Sequence, residues 1–206
     1  VVGILYGRHL EESVPVMMTK SDVAQILKDK TKGSQIMLDV EGQQYDVNFE
    51  TRTDVTEAEY IEMIRLKTSV LLACATKMGA MIANAPASDC DVLYRFAERI
   101  GLAFQLQDDY LDVYGDPAVF GKNIGGDILC GKKTFLLINA LQRADEVQKA
   151  RLLQLLADSQ MPASQKIAEV TELYNQLNIP TLTLQAINHY YDEAHSELQK
   201  LSLSPA

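Results

Sequence analysis

The stretch Ile100–Tyr114, IGLAFQLQDDYLDVY, limits what this chain can fold into more than any other segment. Its only charges are three aspartates, Asp108, Asp109 and Asp112. At about 100° of turn per residue, a helix places Ile100, Phe104, Leu111 and Tyr114 on one face with Gln107. Leu102, Ala103, Leu106, Tyr110 and Val113 cover most of the rest. One sector stays polar and holds Gln105, Asp108, Asp109 and Asp112, with small Gly101 above them. A solvated helix face normally mixes charge signs, and this one carries a single sign. A helix that is apolar around most of its circumference is expected to be surrounded by protein. Carboxylates in that setting are costly unless they are paired or bind a metal. Asp108 and Asp112 are one turn apart and point the same way. Such short hard-oxygen side chains suit Mg2+, which takes one or two carboxylates and fills its other positions with water and substrate phosphate.

The remaining chain reads as all-α. Six Pro and eleven Gly in 206 residues are too few for the turns of a β sandwich. Helical spacing starts near Glu41, and helices are predicted at about 58–83, 90–114, 133–141, 144–158 and 163–176, with a last one after Pro180 reaching about Leu201. Asp54 or Thr56 is expected to cap the first of these, and Ser88 with Asp91 to form a capping box on the second. Residues 1–40 stay unassigned, with only weak helical periodicity over Lys20–Lys32, and 41–206 form one helical domain.

The net charge of −9 argues against nucleic-acid binding, which needs clustered Lys and Arg. Glu11 and Glu12 interrupt any apolar run at the start, so no signal peptide is expected. The uncharged stretch between Glu172 and Asp192 is rich in Asn, Gln and Thr and is not a membrane span. Cys74, Cys90 and Cys130 show no metal-ligand spacing and fit reduced thiols in a cytoplasmic protein. His189 and His195 have no ligand partner at metal spacing and read as structural or surface residues.

Directly after the acidic helix comes GDPAVFGKNIGGDILCGKKT, residues 115–134, with five glycines and the cations Lys122, Lys132 and Lys133. Gly-rich turns with exposed N–H groups bind anions. Gly126, Gly131 and Lys132 approach a P-loop pattern, but Lys133 stands where Ser or Thr should hold Mg2+, and no strand precedes the loop. Lys67 lies in the apolar RLKTSVLLACATK, where it could snorkel or, with Arg65, reach an anion in a central cavity.

Together these residues resemble the trans-isoprenyl diphosphate synthases, the polyprenyl synthetase family. FQLQDDYLD at Phe104–Asp112 is similar to the family's second DDxxD motif, GDPAVFGKNIGGDILCGKKT to its lysine-bearing loop, Lys67–Thr68 to its Lys-Thr pair, and EGQQYD at Glu41–Asp46 to its EGQ segment. The resemblance covers about residues 41–203. It implies an isoprenoid-synthase-type helical bundle around a central cavity, a homodimer, and chain elongation of an allylic diphosphate with isopentenyl diphosphate. It also implies that Asp108, Asp109 and Asp112 hold Mg2+ against the allylic diphosphate, that Lys67, Lys122 and Lys132 bind that diphosphate, and that Thr68 and Gln105 set oxygen dipoles near the developing carbocation. The family's first aspartate-rich motif and its Gly-Gly-Lys-x-x-Arg segment have no counterpart in residues 1–40, so the expected bundle lacks its first helices. That absence also keeps open a non-catalytic partner subunit or an inactive fragment. A terpene cyclase would need the same ionisation, but the Gly-Lys loop and the Lys-Thr pair favour elongation.

Overall fold

The computed structural model describes residues 38–120 and 124–201. Among them all regular structure is helical, as expected. The elements are α1 (Leu38–Thr51), α2 (Glu57–Ile64), a π-helical turn (Arg65–Ser69), α3 (Val70–Ile82), α4 (Ala87–Tyr114), α5 (Pro117–Phe120), α6 (Gly126–Cys130), α7 (Phe135–Arg143), α8 (Glu146–Ala157), α9 (Ala163–Gln176) and α10 (Ile179–Leu198). The weak periodicity over Lys20–Lys32 lies outside the described residues, as does Lys122.

Local chemistry explains most of the boundaries. Of the two candidate caps on α2, Thr56 forms a reciprocal capping box with Glu59, while Asp54 pairs instead with Arg52 at 2.8 Å. Asp145 builds the same box with Gln148 on α8. The box expected from Ser88 and Asp91 does not form. Helix α4 starts earlier, with Pro86 at its N-cap and no side-chain cap, and Asp91 pairs with Lys77 at 2.6 Å. Pro180 falls inside the first turn of α10 rather than before it, a position where a missing N–H breaks no helical bond. The loop expected over 115–131 contains the two short helices α5 and α6.

The helix predicted over 58–83 is helical along its length but widens into the π turn at Arg65–Ser69. Two glycines on neighbouring helices sit against that turn. A Cβ on Gly42 of α1 would lie 2.3 Å from the Lys67 backbone nitrogen, and one on Gly101 of α4 would lie 2.6 Å from the Ser69 Cα. Only glycine lets three backbones approach this closely.

Helix α4 is the axis of the packing. It runs along α10 and α3 and contributes to two apolar clusters. Leu102 and Leu106 meet Phe49, Tyr60, Ile64 and Ile187 in one. Val113 joins Leu136, Leu152, Leu155, Val170 and Tyr174 in the other. The expectation that protein surrounds α4 holds on that side only. Phe104, assigned to an apolar face, is 56% exposed, and Gln107 beside it is exposed as well. At about 100° per residue both lie on the side of the helix away from Leu102 and Leu106. No helix among the described residues is long and apolar enough to cross a membrane.

Gly101→Ala is expected to destabilise the fold by about 1–3 kcal/mol, the usual cost of forcing extra volume into a packed contact. Urea denaturation followed by far-UV circular dichroism measures it. An unchanged midpoint would show that the α4–π-turn contact is not tight.

Candidate functional site

Four segments bring the candidate residues together: α1, the π turn, the C-terminal third of α4, and the loop around α6. Lys67 and Thr68 lie within the π turn, a distortion often found at functional positions. The Lys67 Nζ donates to Asp46 Oδ2 of α1 at 2.5 Å. Thr68 Oγ1 donates to Gln105 Oε1 of α4 at 3.2 Å, which fixes the amide of Gln105 beside the aspartates. Arg65 does not turn toward this group. Its guanidinium binds Glu62 through two nitrogens, each at 2.7 Å, and Glu98 at 3.1 Å.

The three aspartates divide. Asp108 and Asp112 are partly exposed on successive turns of α4. Asp109 does not share their open face. Adjacent residues differ by about 100°, and that rotation carries Asp109 into the packed interior, where it is 1% exposed. There the buried Tyr60 hydroxyl of α2 donates to Asp109 Oδ2. Asp109 Oδ1 has no hydrogen-bond partner, and the ammonium of Lys132 stands 3.7 Å from it. Burial pushes the Asp109 carboxyl up to about 6, although Lys132 and Tyr60 both favour its charged form.

Asp112 fastens the lysine-bearing loop to the acidic helix. Its Oδ2 accepts from the Asp127 amide at 2.9 Å, and its carbonyl accepts from the Gly125 amide. Gly125 and Gly131, at φ 84° and 60°, bound the short helix α6, in a left-handed conformation that glycine adopts without steric cost. The turn returns Lys132 to the site, and its Nζ pairs with Asp127 at 3.3 Å. Burial opposes the Lys132 charge, but Asp109 and Asp127 outweigh it and raise its pKa. Lys133 points elsewhere, donating to the Gly131 carbonyl at 3.3 Å. Lys122 lies outside the described residues.

Sequence reasoning did not single out Tyr60, Asp127 or the side chain of Asp46. Tyr60 looks like an ordinary apolar position of α2, and its partner is distant in the chain. The one available signal was general: a buried tyrosine hydroxyl needs an acceptor. Asp127 stands five residues before Lys132, and only the closing turn at Gly131 brings the two together. Among the described residues no three His, Cys, Asp or Glu side chains are grouped closely enough to hold a metal unaided.

The raised Asp109 value has a consequence for stability. Its ordinary value is 3.8, so between about pH 4 and 6 the folded chain holds a proton that the unfolded chain has released. Stability from this group is therefore highest at the acid end and falls as pH rises through about 6. In magnesium-free buffer, Asp109→Asn is expected to remove a decline on the order of 2–3 kcal/mol. Chemical denaturation of both chains at pH 4.5 and 7.5 tests this, and parallel pH profiles would contradict it.

Known proteins share this chain's sequence and fold. A short chain isoprenyl diphosphate synthase of Methanothermobacter thermautotrophicus is 43% identical over 134 residues, which is 65% of this chain and 41% of that protein. A geranylgeranyl diphosphate synthase of Methanosarcina mazei is 45% identical over 103 residues, 50% of this chain and 32% of that one. The chain thus spans well under half the length of these relatives. A crystal structure of geranylgeranyl pyrophosphate synthase matches with a TM-score of 0.79 at 38% identity, over 91% of this chain and 58% of that one. A geranylgeranyl pyrophosphate synthase from Corynebacterium glutamicum, solved with isoprenyl diphosphate and magnesium, matches with a TM-score of 0.78 at 28% identity, over 88% of this chain and 51% of that one. The bundle is that of the isoprenyl synthases. The polyprenyl synthetase family model matches residues 2–177, beginning upstream of the start expected from the motifs. The chain belongs to the polyprenyl synthetase family.

Proposed function

We propose that this chain carries the diphosphate-ionising part of a Mg2+-dependent prenyl chain-elongating enzyme. The observation that carries the reading is a pair of half-exposed carboxylates, Asp108 and Asp112, on one face of α4, with Lys132 held nearby on the loop that Asp112 anchors. Carboxylates and cations interleaved in this way suit a metal-bound diphosphate better than either alone. The donor set fits Mg2+: the oxygens are hard, the carboxylates are few, and open positions remain for water and substrate phosphate. Asp108 and Asp112 would hold the ion, while Asp109 faces inward. Mg2+, when bound, would offset the negative charge that gathers on the departing diphosphate.

The side chains supply the rest. Lys67, Lys132 and Lys122 bind the allylic diphosphate and stabilise it as the carbon–oxygen bond breaks. Thr68 Oγ1 and Gln105 Oε1, already bonded to one another, set oxygen dipoles toward the allylic carbon. The double bond of isopentenyl diphosphate attacks that carbon, one carbon–carbon bond forms, and a proton leaves to the released diphosphate. Exclusion of water by the apolar bundle protects the cation. A cytoplasmic homodimer belongs to the same reading and rests on the family alone.

Incubation of the chain with labelled isopentenyl diphosphate, geranyl diphosphate and Mg2+ is expected to yield a condensed product. Asp108→Ala should lower its rate of formation at least about 100-fold, as expected for removal of a group acting on developing charge. Absence of product from the unaltered chain would overturn the assignment.

A further inference from the structure

Asp109 is the most enclosed carboxylate of the site, and it does not face the open side of α4. Its two oxygens have different neighbours. Oδ2 accepts from the Tyr60 hydroxyl. Oδ1 has no hydrogen bond and faces the Lys132 ammonium at 3.7 Å. Tyr60 is itself 1% exposed and comes from α2, the helix that leads into the π turn carrying Lys67 and Thr68. On its other side Lys132 meets Asp127, with Oδ1 at 3.3 Å and Oδ2 at 3.4 Å. Asp127 in turn is tied to Asp112 through its backbone amide.

The distances separate the roles. The contact with Asp127 is short enough for a hydrogen bond, and the one with Asp109 is a charge contact just beyond that range. Were both Asp109 oxygens free, the carboxylate could turn, take Lys132 into a bidentate contact and draw the ammonium inward. The Tyr60 hydroxyl opposes this by occupying one oxygen, and the Phe135 amide also favours the carboxylate where it stands, which leaves Lys132 between Asp109 and Asp127.

We propose that Tyr60, acting through Asp109, is a positioning residue that holds the Lys132 ammonium at the diphosphate-facing edge of the site. This rests on the diphosphate-binding reading above, and it concerns where the cation stands rather than which group ionises. It makes the entry to the π turn and the end of the lysine loop one unit, coupled through a side chain that touches no substrate.

The test is a double-mutant cycle on Tyr60→Phe and Lys132→Ala, read by calorimetric titration of inorganic pyrophosphate in the presence of Mg2+. The amino 1H–15N resonance of Lys132 in the ligand-free protein, assigned with Lys132→Arg, is the second readout. Tyr60→Phe is expected to weaken pyrophosphate binding about ten-fold and to move the Lys132 resonance. The double variant should bind no more weakly than Lys132→Ala alone, because the effect passes through that lysine. Additive losses would overturn the proposal, and so would an unmoved resonance. If the unaltered chain fails to bind pyrophosphate while Tyr60→Phe still moves the resonance, the functional reading falls and the positioning role stands. Should Tyr60→Phe not fold, Asp109→Asn must move the same resonance, and an unmoved signal there would also overturn the proposal.

Discussion

The arrangement depends on a backbone contact. At the π turn, α1 and α4 come so near that Gly42 and Gly101 have no room for a Cβ. The closeness has chemical results. Helix α1 brings Asp46 to the Lys67 ammonium, and α4 brings Gln105 to the Thr68 hydroxyl. Moving either helix outward by the width of a methyl group would part the pair which that helix completes. Packing at two glycines therefore sets the polar geometry one helical turn away, at Asp46 and Gln105, as expected of a dense interior that transmits small volume changes.

A second constraint is charge. Asp46, Asp109 and Asp127 pair with the two described lysines, Lys67 and Lys132, and Asp108 and Asp112 stand beside them on α4, so acid outweighs base among the described residues of the site. The imbalance shows where burial is deep: Asp109 and Asp127 are both pushed up by burial, and Lys132 is held charged by them. A divalent cation would correct the excess, and a diphosphate arriving with it would meet lysines already oriented by carboxylates. The acidity of the whole chain is thus compatible with an anionic substrate, because local field rather than net charge governs a site.

The sequence conveyed the fold class well, because long runs at helical spacing leave few alternatives. The predicted ends of α9 coincide with the structure, and those of α7 and α8 lie within a few residues. What failed depended on competition between partners. Asp91 could cap α4 or pair with Lys77, and proximity in space chose Lys77. The helical wheel grouped Asp108, Asp109 and Asp112 because they are alike, yet one residue of rotation separates an open carboxylate from a buried one. The wheel also gave Phe104 to the core, since periodicity shows which residues share a face but not which face finds a neighbour. Tyr60 was invisible for a related reason: its contact with Asp109 spans 49 positions, and no local pattern encodes it.

Helix α6 has unequal ends. At Gly125 an added Cβ would strike the Ile167 side chain of α9 at 2.5 Å, whereas at Gly131 nothing lies within 4 Å. The first end is clamped and the second opens into space. A helix that contributes no polar group to the site is thereby its backstop: α9 sets how far the lysine-bearing segment can recede. Drift in the packing of α9 would be felt at Lys132 as a change of reach, and the mechanical boundary of the site extends well past its chemical one.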